Sequence, residues 1–283
     1  LGNLYLDMKN DSRLFLTEKI DIDLSNTVAT NLFSGLGVAN SPHISGTNYR
    51  TFMLYHSKLN IDQAVNLDNA NDAYNKVELA SSQIINNNAI TGTKANQVAM
   101  AQENDTANPV ITKLKNNGTI NLSGANSTAI YNKAGEIENT SAGKITVGDN
   151  SVGIYGINNT DIKNDGKIAI GNSATGIFYS DVFKDQKTGV TTVYNTAKGL
   201  TNNGTIETTG NDSVAMTYEP GNIGLNTVTF ENKGTVKMTG DRNTAMFAKV
   251  SKDKVSYNTI NSGTITMGNS ASLNNPNVAM YTD

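Results

Sequence analysis

Six times between Leu114 and Tyr281 the chain repeats one phrase, and no other property of the sequence restricts its possible folds so tightly. The first copy reads Leu114-Lys115-Asn116-Asn117-Gly118-Thr119-Ile120-Asn121-Leu122-Ser123-Gly124, followed by Ser127 and Ala129-Ile130-Tyr131. The second and third begin at Ile137 and Ile162, with Gly143 to Gly148 and Gly153-Ile154-Tyr155, then Gly166 to Gly171 and Gly176-Ile177-Phe178. Three more begin at Leu200, Phe230 and Ile260 and end on Ala215-Met216, Ala245-Met246-Phe247 and Ala279-Met280-Tyr281.

Each copy holds three short apolar stretches separated by Gly or Asn. In Thr119-Ile120-Asn121-Leu122-Ser123 the apolar side chains alternate with polar ones, which is the period of a half-buried strand. Three such strands in a repeat of about 23 to 25 residues cannot close on themselves, because every strand edge is left unpaired. Stacking the repeats cures this: each strand pairs in parallel with its counterpart one turn along, about 4.8 Å away. The expected fold is an all-β, three-strand-per-rung parallel β-helix. Ile120, Ile145, Ile168, Ile206, Val236 and Ile265 are expected in one buried column.

The corners account for the composition. Of the 283 residues 42 are Asn and 25 are Gly, both suited to the positive φ of tight turns. Asn116, Asn139, Asn164, Asn202, Asn232 and Asn261 recur at one corner and are expected to form a ladder of amide hydrogen bonds. Asn139 stands four residues before its Gly instead of two, so Thr140-Ser141 reads as a bulged corner. Insertions concentrate at the corner after the third strand, where loops leave without disturbing the stack behind them. Upstream, Gln83 to Gly92 and Val98-Ala99-Met100 form a degenerate copy with Asn88 in the Gly place. Repeats are therefore expected over residues 77–283, regular from about 114, and residues 1–76 as irregular β or a capping, early-rung region. Asp68 to Leu79 fits one short helix. The sequence stops just after a third strand, from which further rungs or a cap are expected to follow.

Most chemistries find no support. A net charge of -3 with scattered lysines gives no basic stripe for nucleic acid, and no apolar run is long enough to cross a membrane as a helix. Absence of Cys removes disulfides, thiolate metal sites and thiol nucleophiles, and fits an exported bacterial protein. Gly148-Asp149-Asn150-Ser151 resembles a nucleophile turn, but Gly210-Asn211-Asp212-Ser213 and Gly171-Asn172-Ser173 repeat it, which points to turn chemistry. His43 and His56 lack a spacing that joins them, and Asp68-Asn69-Ala70-Asn71-Asp72 has the oxygen density of a calcium loop without its order. Asp149, Glu207 and Asp212 are the only acids on equivalent corners that a glycosidase or lyase could use. No enzyme activity, cofactor, metal or catalytic residue is expected.

The Asn-x-Gly-x-Ile motif with its Ser and its Ala-Ile/Met-Tyr/Phe triplet, free of Cys and rich in Asn, Lys and Thr, resembles the passengers of large type V autotransporter adhesins, most of all fusobacterial outer-membrane adhesins. The resemblance covers residues 83 to 283. It implies a right-handed parallel β-helix on the bacterial cell surface, carried through the outer membrane by a C-terminal barrel that this sequence does not contain. The implied role is coaggregation and host-cell attachment, with a host receptor or glycan, or a surface protein of partner bacteria, as partner. The alternatives are a carbohydrate-active β-helix enzyme and a passive stalk.

The expected binding element is the longest insertion, Tyr179 to Gly199, where the repeat needs only a short corner. Ordered loop costs entropy, so a loop retained there implies a use. Tyr179, Asp181, Phe183, Lys184, Asp185, Lys187 and Tyr194 form an aromatic, mixed-charge set able to stack on a sugar or anchor a protein. Tyr218 and Glu219 in the next insertion, and Lys252, Asp253 and Lys254 in the one after, are expected to flank it.

Overall fold

The structure, a computed structural model, describes residues 21–23, 49–53, 58–61, 64–69, 77–80, 83–102, 113–133, 135–157, 160–184, 189–193, 199–220, 228–249, 257–271 and 275–282. Within them the repeats wind into a parallel β-helix with three flat faces. The first strands of successive repeats, from Asp21–Asp23 to Tyr257–Asn261, make a nine-stranded parallel sheet; the second strands, from Val65–Asn66 to Thr264–Met267, make one of eight. The third strands, from Tyr49–Met53 to Val278–Thr282, make another of nine. The described residues contain no α-helix.

Register follows the sequence repeat. On the second face Ile120 pairs with Ile145, Ile145 with Ile168, Ile168 with Ile206, Ile206 with Val236 and Val236 with Ile265, so the expected column exists, and Ile90 extends it upstream. A second column runs through Leu114, Ile137, Ile162, Leu200 and Phe230, a third through Ile130, Ile154, Ile177, Met216 and Met246. All three face one continuous core. Each such side chain withdrawn from water contributes about 1.5–3 kcal/mol, which is why a narrow core still holds a long rod.

The first corner is closed by the expected amide ladder, one member longer than the sequence suggested. Asn86 Nδ2 donates to Asn116 Oδ1, Asn116 to Asn139, Asn139 to Asn164, Asn164 to Asn202, Asn202 to Asn232 and Asn232 to Asn261, at 2.6 to 2.8 Å. The longer corner after Asn139 is accommodated by a turn in which Gly143 N–H donates to Thr140 C=O at 2.8 Å.

The glycines work differently from expectation. At Gly118, Gly204 and Gly234 the φ is not positive; a Cβ there would collide with the carbonyl of the residue one rung back. The left-handed conformations instead sit at the second corner on Asn96, Asn126, Asn150, Ser173, Asp212 and Arg242, with φ of 51 to 63°. Ser173 therefore matches Asn150 and not Ser151. Ala174 fills the serine place in that rung.

Early rungs lie upstream of residue 77, in the region expected as irregular β or early rungs: Lys58–Ile61 and Val65–Asn66 pair with strands of the following turn. Two further departures concern individual segments. The helix expected over Asp68 to Leu79 is absent where described, because Leu67–Asn69 is a 3-10 turn and Val77–Ala80 a strand, and a helix there would forfeit the parallel partner on the third face. In the last copy Thr259, not Ile260, pairs with Phe230 in the core column, and Ile260 is 40% exposed. The Asn261 ladder fixes that register.

Candidate functional site

The third corner carries most insertions, and the candidate site is built there by overlong third strands. Thr175–Ser180 and Val214–Glu219 run past the Ile177 and Met216 core positions. Alternation along a strand then turns Tyr179 and Tyr218 inward, and both rings are fully buried. They stack with centroids 5.6 Å apart and planes 12° from parallel, and Tyr218 packs on Phe230 at 6.0 Å. The aromatic pair expected to meet a ligand is instead the core of this corner. Gly156 holds the same register position one rung earlier, where a Cβ would run into the Ile162 side chain, so a glycine there gives way to two tyrosines along this corner.

Beyond the tyrosines the chain leaves the solenoid through Asp181. Its backbone N–H donates to Glu219 C=O at 2.9 Å, and its buried carboxylate accepts from the Tyr218 hydroxyl at 2.8 Å. Ser180 is also buried: its hydroxyl lies 2.8 Å from Val182 C=O and 3.1 Å from the Glu219 carboxylate, and it accepts from Val182 N–H at 3.0 Å. Glu219 in turn pairs with Lys249 at 2.8 Å. Two consecutive rungs thus clamp the root of the insertion.

From this root Val182–Lys184 and Thr191–Val193 form an antiparallel ribbon, with Val182 opposite Val193 and Lys184 opposite Thr191. Gly189 has a φ of +70° near its tip and Val190 is 58% exposed. Phe183 and Lys184 lie on the outgoing strand. Asp185, Lys187 and Tyr194, like Lys252, Asp253 and Lys254, lie outside the described residues, as do His43 and His56. Sequence reasoning missed the anchoring roles of Asp181 and Ser180. The available signal was parity, since Tyr179 and Tyr218 stand two residues beyond Ile177 and Met216.

The acids weighed as catalytic are engaged in holding corners and faces. Asp149 Oδ1 accepts from Asn172 N–H at 2.8 Å, Glu207 pairs with Lys167 at 2.7 Å, and Asp212 pairs with Arg242 at 2.6 Å. Ser127 N–H donates to Ser151 Oγ at 2.9 Å and Ser213 N–H to Asn243 Oδ1 at 2.8 Å, a second stacked ladder. Asp68 accepts from Thr93 N–H and Oγ1, from Lys94 N–H and from Gln97 Nε2. Burial raises its pKa, but these hydrogen bonds outweigh burial and hold it below the usual carboxylate value.

The outer surface of the third face differs from the other two. The first face presents Lys113, Lys115, Glu136 and Glu138, linked by ion pairs of 3.0 to 3.5 Å. Third strands from Val98–Ala101 to Val278–Thr282 contain a single charged residue, Glu219, at the end of its strand. Tyr131, Tyr155 and Phe178 stand in register on this face with centroids 5.4 and 5.0 Å apart, edge to face. No protein-family model, curated protein or solved structure matches this chain.

Proposed function

We propose that this chain is part of a surface-displayed adhesive rod, an exported passenger segment of a bacterial adhesin, whose parallel β-helix spaces and presents loops at its third corner. The observation that carries the reading is the clamped hairpin. A rod serving only as a spacer gains nothing from a buried Asp181–Tyr218 hydrogen bond that sets the exit direction of one inserted ribbon. Two rungs spend core volume on fixing that root, which is the preorganisation a contact surface needs.

In this reading the partner is a host-cell receptor or glycan, or a surface protein of another bacterium, met by the ribbon and the shorter insertions beside it. The test is excision above the anchor. Replacing residues 183–192 with a short Gly-Ser turn retains Asp181 and Tyr218, so β-sheet circular dichroism and melting should stay nearly unchanged. Attachment of beads coated with the variant to host cells and to partner bacteria should fall well below that of the parent. Full attachment by the folded variant overturns the role of the ribbon.

A further inference from the structure

We propose that the Glu219–Lys249 ion pair is a salt-sensitive latch that holds the inserted ribbon in the direction used for attachment; this deepens the adhesive reading and rests on it. Ser180, Glu219 and Lys249 stand at one register position on three successive rungs. Ser180 lies opposite Glu219, and Tyr218 lies opposite Ala248, which places Lys249 beside Glu219. The backbone agrees, since Asp181 N–H donates to Glu219 C=O and Lys249 N–H to Tyr218 C=O, both at 2.9 Å. One rung before Ser180 the same position is held by Ile157, which is buried. The polar column therefore starts at the ribbon and runs from it toward the C-terminal rungs.

Side chains carry the column to the ribbon backbone. Lys249 Nζ lies 2.8 Å from Glu219 Oε1, and the other oxygen of that carboxylate lies 3.1 Å from Ser180 Oγ. Ser180 Oγ accepts from Val182 N–H at 3.0 Å, and Val182 opens the outgoing strand Val182–Lys184. The Ser180 hydroxyl has one hydrogen for two acceptors, the Glu219 carboxylate and Val182 C=O at 2.8 Å. Where Lys249 holds Glu219 thus decides how Ser180 meets the first residue of the ribbon.

The two locks on this root differ in their exposure to solvent. The Asp181–Tyr218 hydrogen bond is buried and escapes screening by salt. The Lys249 and Glu219 side chains are 56% and 26% exposed, so their attraction weakens as the Debye length falls from about 10 Å in 0.1 M salt to about 3 Å in 1 M. An exposed pair shifts an equilibrium by about fivefold at most. That is too little to hold rungs together and enough to bias the direction of a ribbon.

The chain contains no Cys, so Val190→Cys beside the ribbon tip and Thr146→Cys on the second face accept two nitroxide labels, both at exposed positions. Double electron–electron resonance on the full chain then gives the distribution of distances between them. In the parent it should be narrow in dilute buffer and about twofold broader in 1 M NaCl. Lys249→Ala and Glu219→Gln should broaden it about twofold at either salt concentration, whereas Lys249→Arg should keep both the narrow distribution and its salt response. Lys237→Gln on the second face should change nothing. Melting followed by circular dichroism should be nearly the same for all of these variants, because Asp181 and Tyr218 are retained. Bead attachment should fall about threefold with Lys249→Ala and return with Lys249→Arg. A distribution unmoved by Lys249→Ala or by salt overturns the latch, and so does full attachment by a variant whose distribution has broadened. Failure of the adhesive reading looks different: ribbon excision then leaves attachment intact while the distances still respond to Lys249→Ala.

Discussion

The Asn139 side-chain amide donates to Asn164 Oδ1 at 2.7 Å, although the corner following Asn139 is two residues longer than the corner following Asn164. The ladder therefore overrides local loop length in setting the register of the rungs. Both amides are fully buried, so a corner that slipped would strand a donor and an acceptor away from water, each costing about 1–3 kcal/mol.

Removing one rung of that ladder should be felt on both sides. Asn164→Ala deprives Asn139 of its acceptor and Asn202 of its donor and should destabilise by about 2–4 kcal/mol. Asn261→Ala acts where the amide is exposed and receives one ladder bond, and should cost less than about 1 kcal/mol. Urea unfolding of the two variants gives the comparison, and equal losses would show that the ladder does not carry the corner.

The last copy contains a misfit that substitution can relieve. Thr259 stacks under Phe230 with its Oγ1 buried and without a hydrogen-bond partner. Thr259→Val keeps the branched shape and removes the unpaired hydroxyl, so it should stabilise by about 1 kcal/mol. A lower midpoint in urea would mean that the hydroxyl is satisfied in solution.

A gap in the second ladder offers the opposite experiment. Ser127 N–H donates to Ser151 Oγ, and Ala174 N–H to Ser213 Oγ, but the Ala174 position itself supplies no side-chain acceptor to Ser151. Ala174→Ser should complete the series and add about 0.5–1 kcal/mol, read from the same unfolding curves. Loss of stability would show that the buried site has no room for the oxygen.

What the sequence made legible is whatever recurs at fixed parity. The Ile120 to Ile265 column and the Asn116 to Asn261 ladder repeat without interruption, and stacking reproduces them. Function of the glycines was harder to read, because a residue excluded by a carbonyl one rung away looks the same in sequence as one needed for positive φ. Ile260 misled because an apolar residue beside Asn261 resembles the start of a copy, and only the Asn-to-Gly spacing shows that Thr259 faces inward. The Tyr179 and Tyr218 error has the same root: residues beyond the recurring triplet were read as loop, while the strands ran on and buried them.

Asp68 should make the N-terminal rungs acid-sensitive. Its pKa is lowered in the folded state despite the opposing effect of burial, so its stabilising contribution is complete above the ordinary Asp value and is lost as pH falls through the depressed one. Asp68→Asn loses most of the bonds to Thr93, Lys94 and Gln97, so the variant should melt earlier than the parent near neutral pH. The difference should shrink in strong acid, where the parent carboxylate is itself protonated. A constant difference across the acid range would exclude ionisation as the cause.

The hairpin root provides the last test, because its two partners sit on different rungs. Tyr218 donates to Asp181 inside a buried corner, so Tyr218→Phe leaves a carboxylate oxygen short of its donor, and Asp181→Ala leaves a phenol short of its acceptor. Each single change should destabilise by about 1–3 kcal/mol, the cost of leaving a buried polar group without its partner. The double variant should lose less than the sum, with a coupling of at least about 1 kcal/mol in the cycle. Attachment should respond as well, since the ribbon keeps its residues but loses the clamp that aims it. Additive stability losses would show that the two side chains act separately, and unchanged attachment by a folded Asp181→Ala variant would show that the direction of the ribbon is irrelevant to contact.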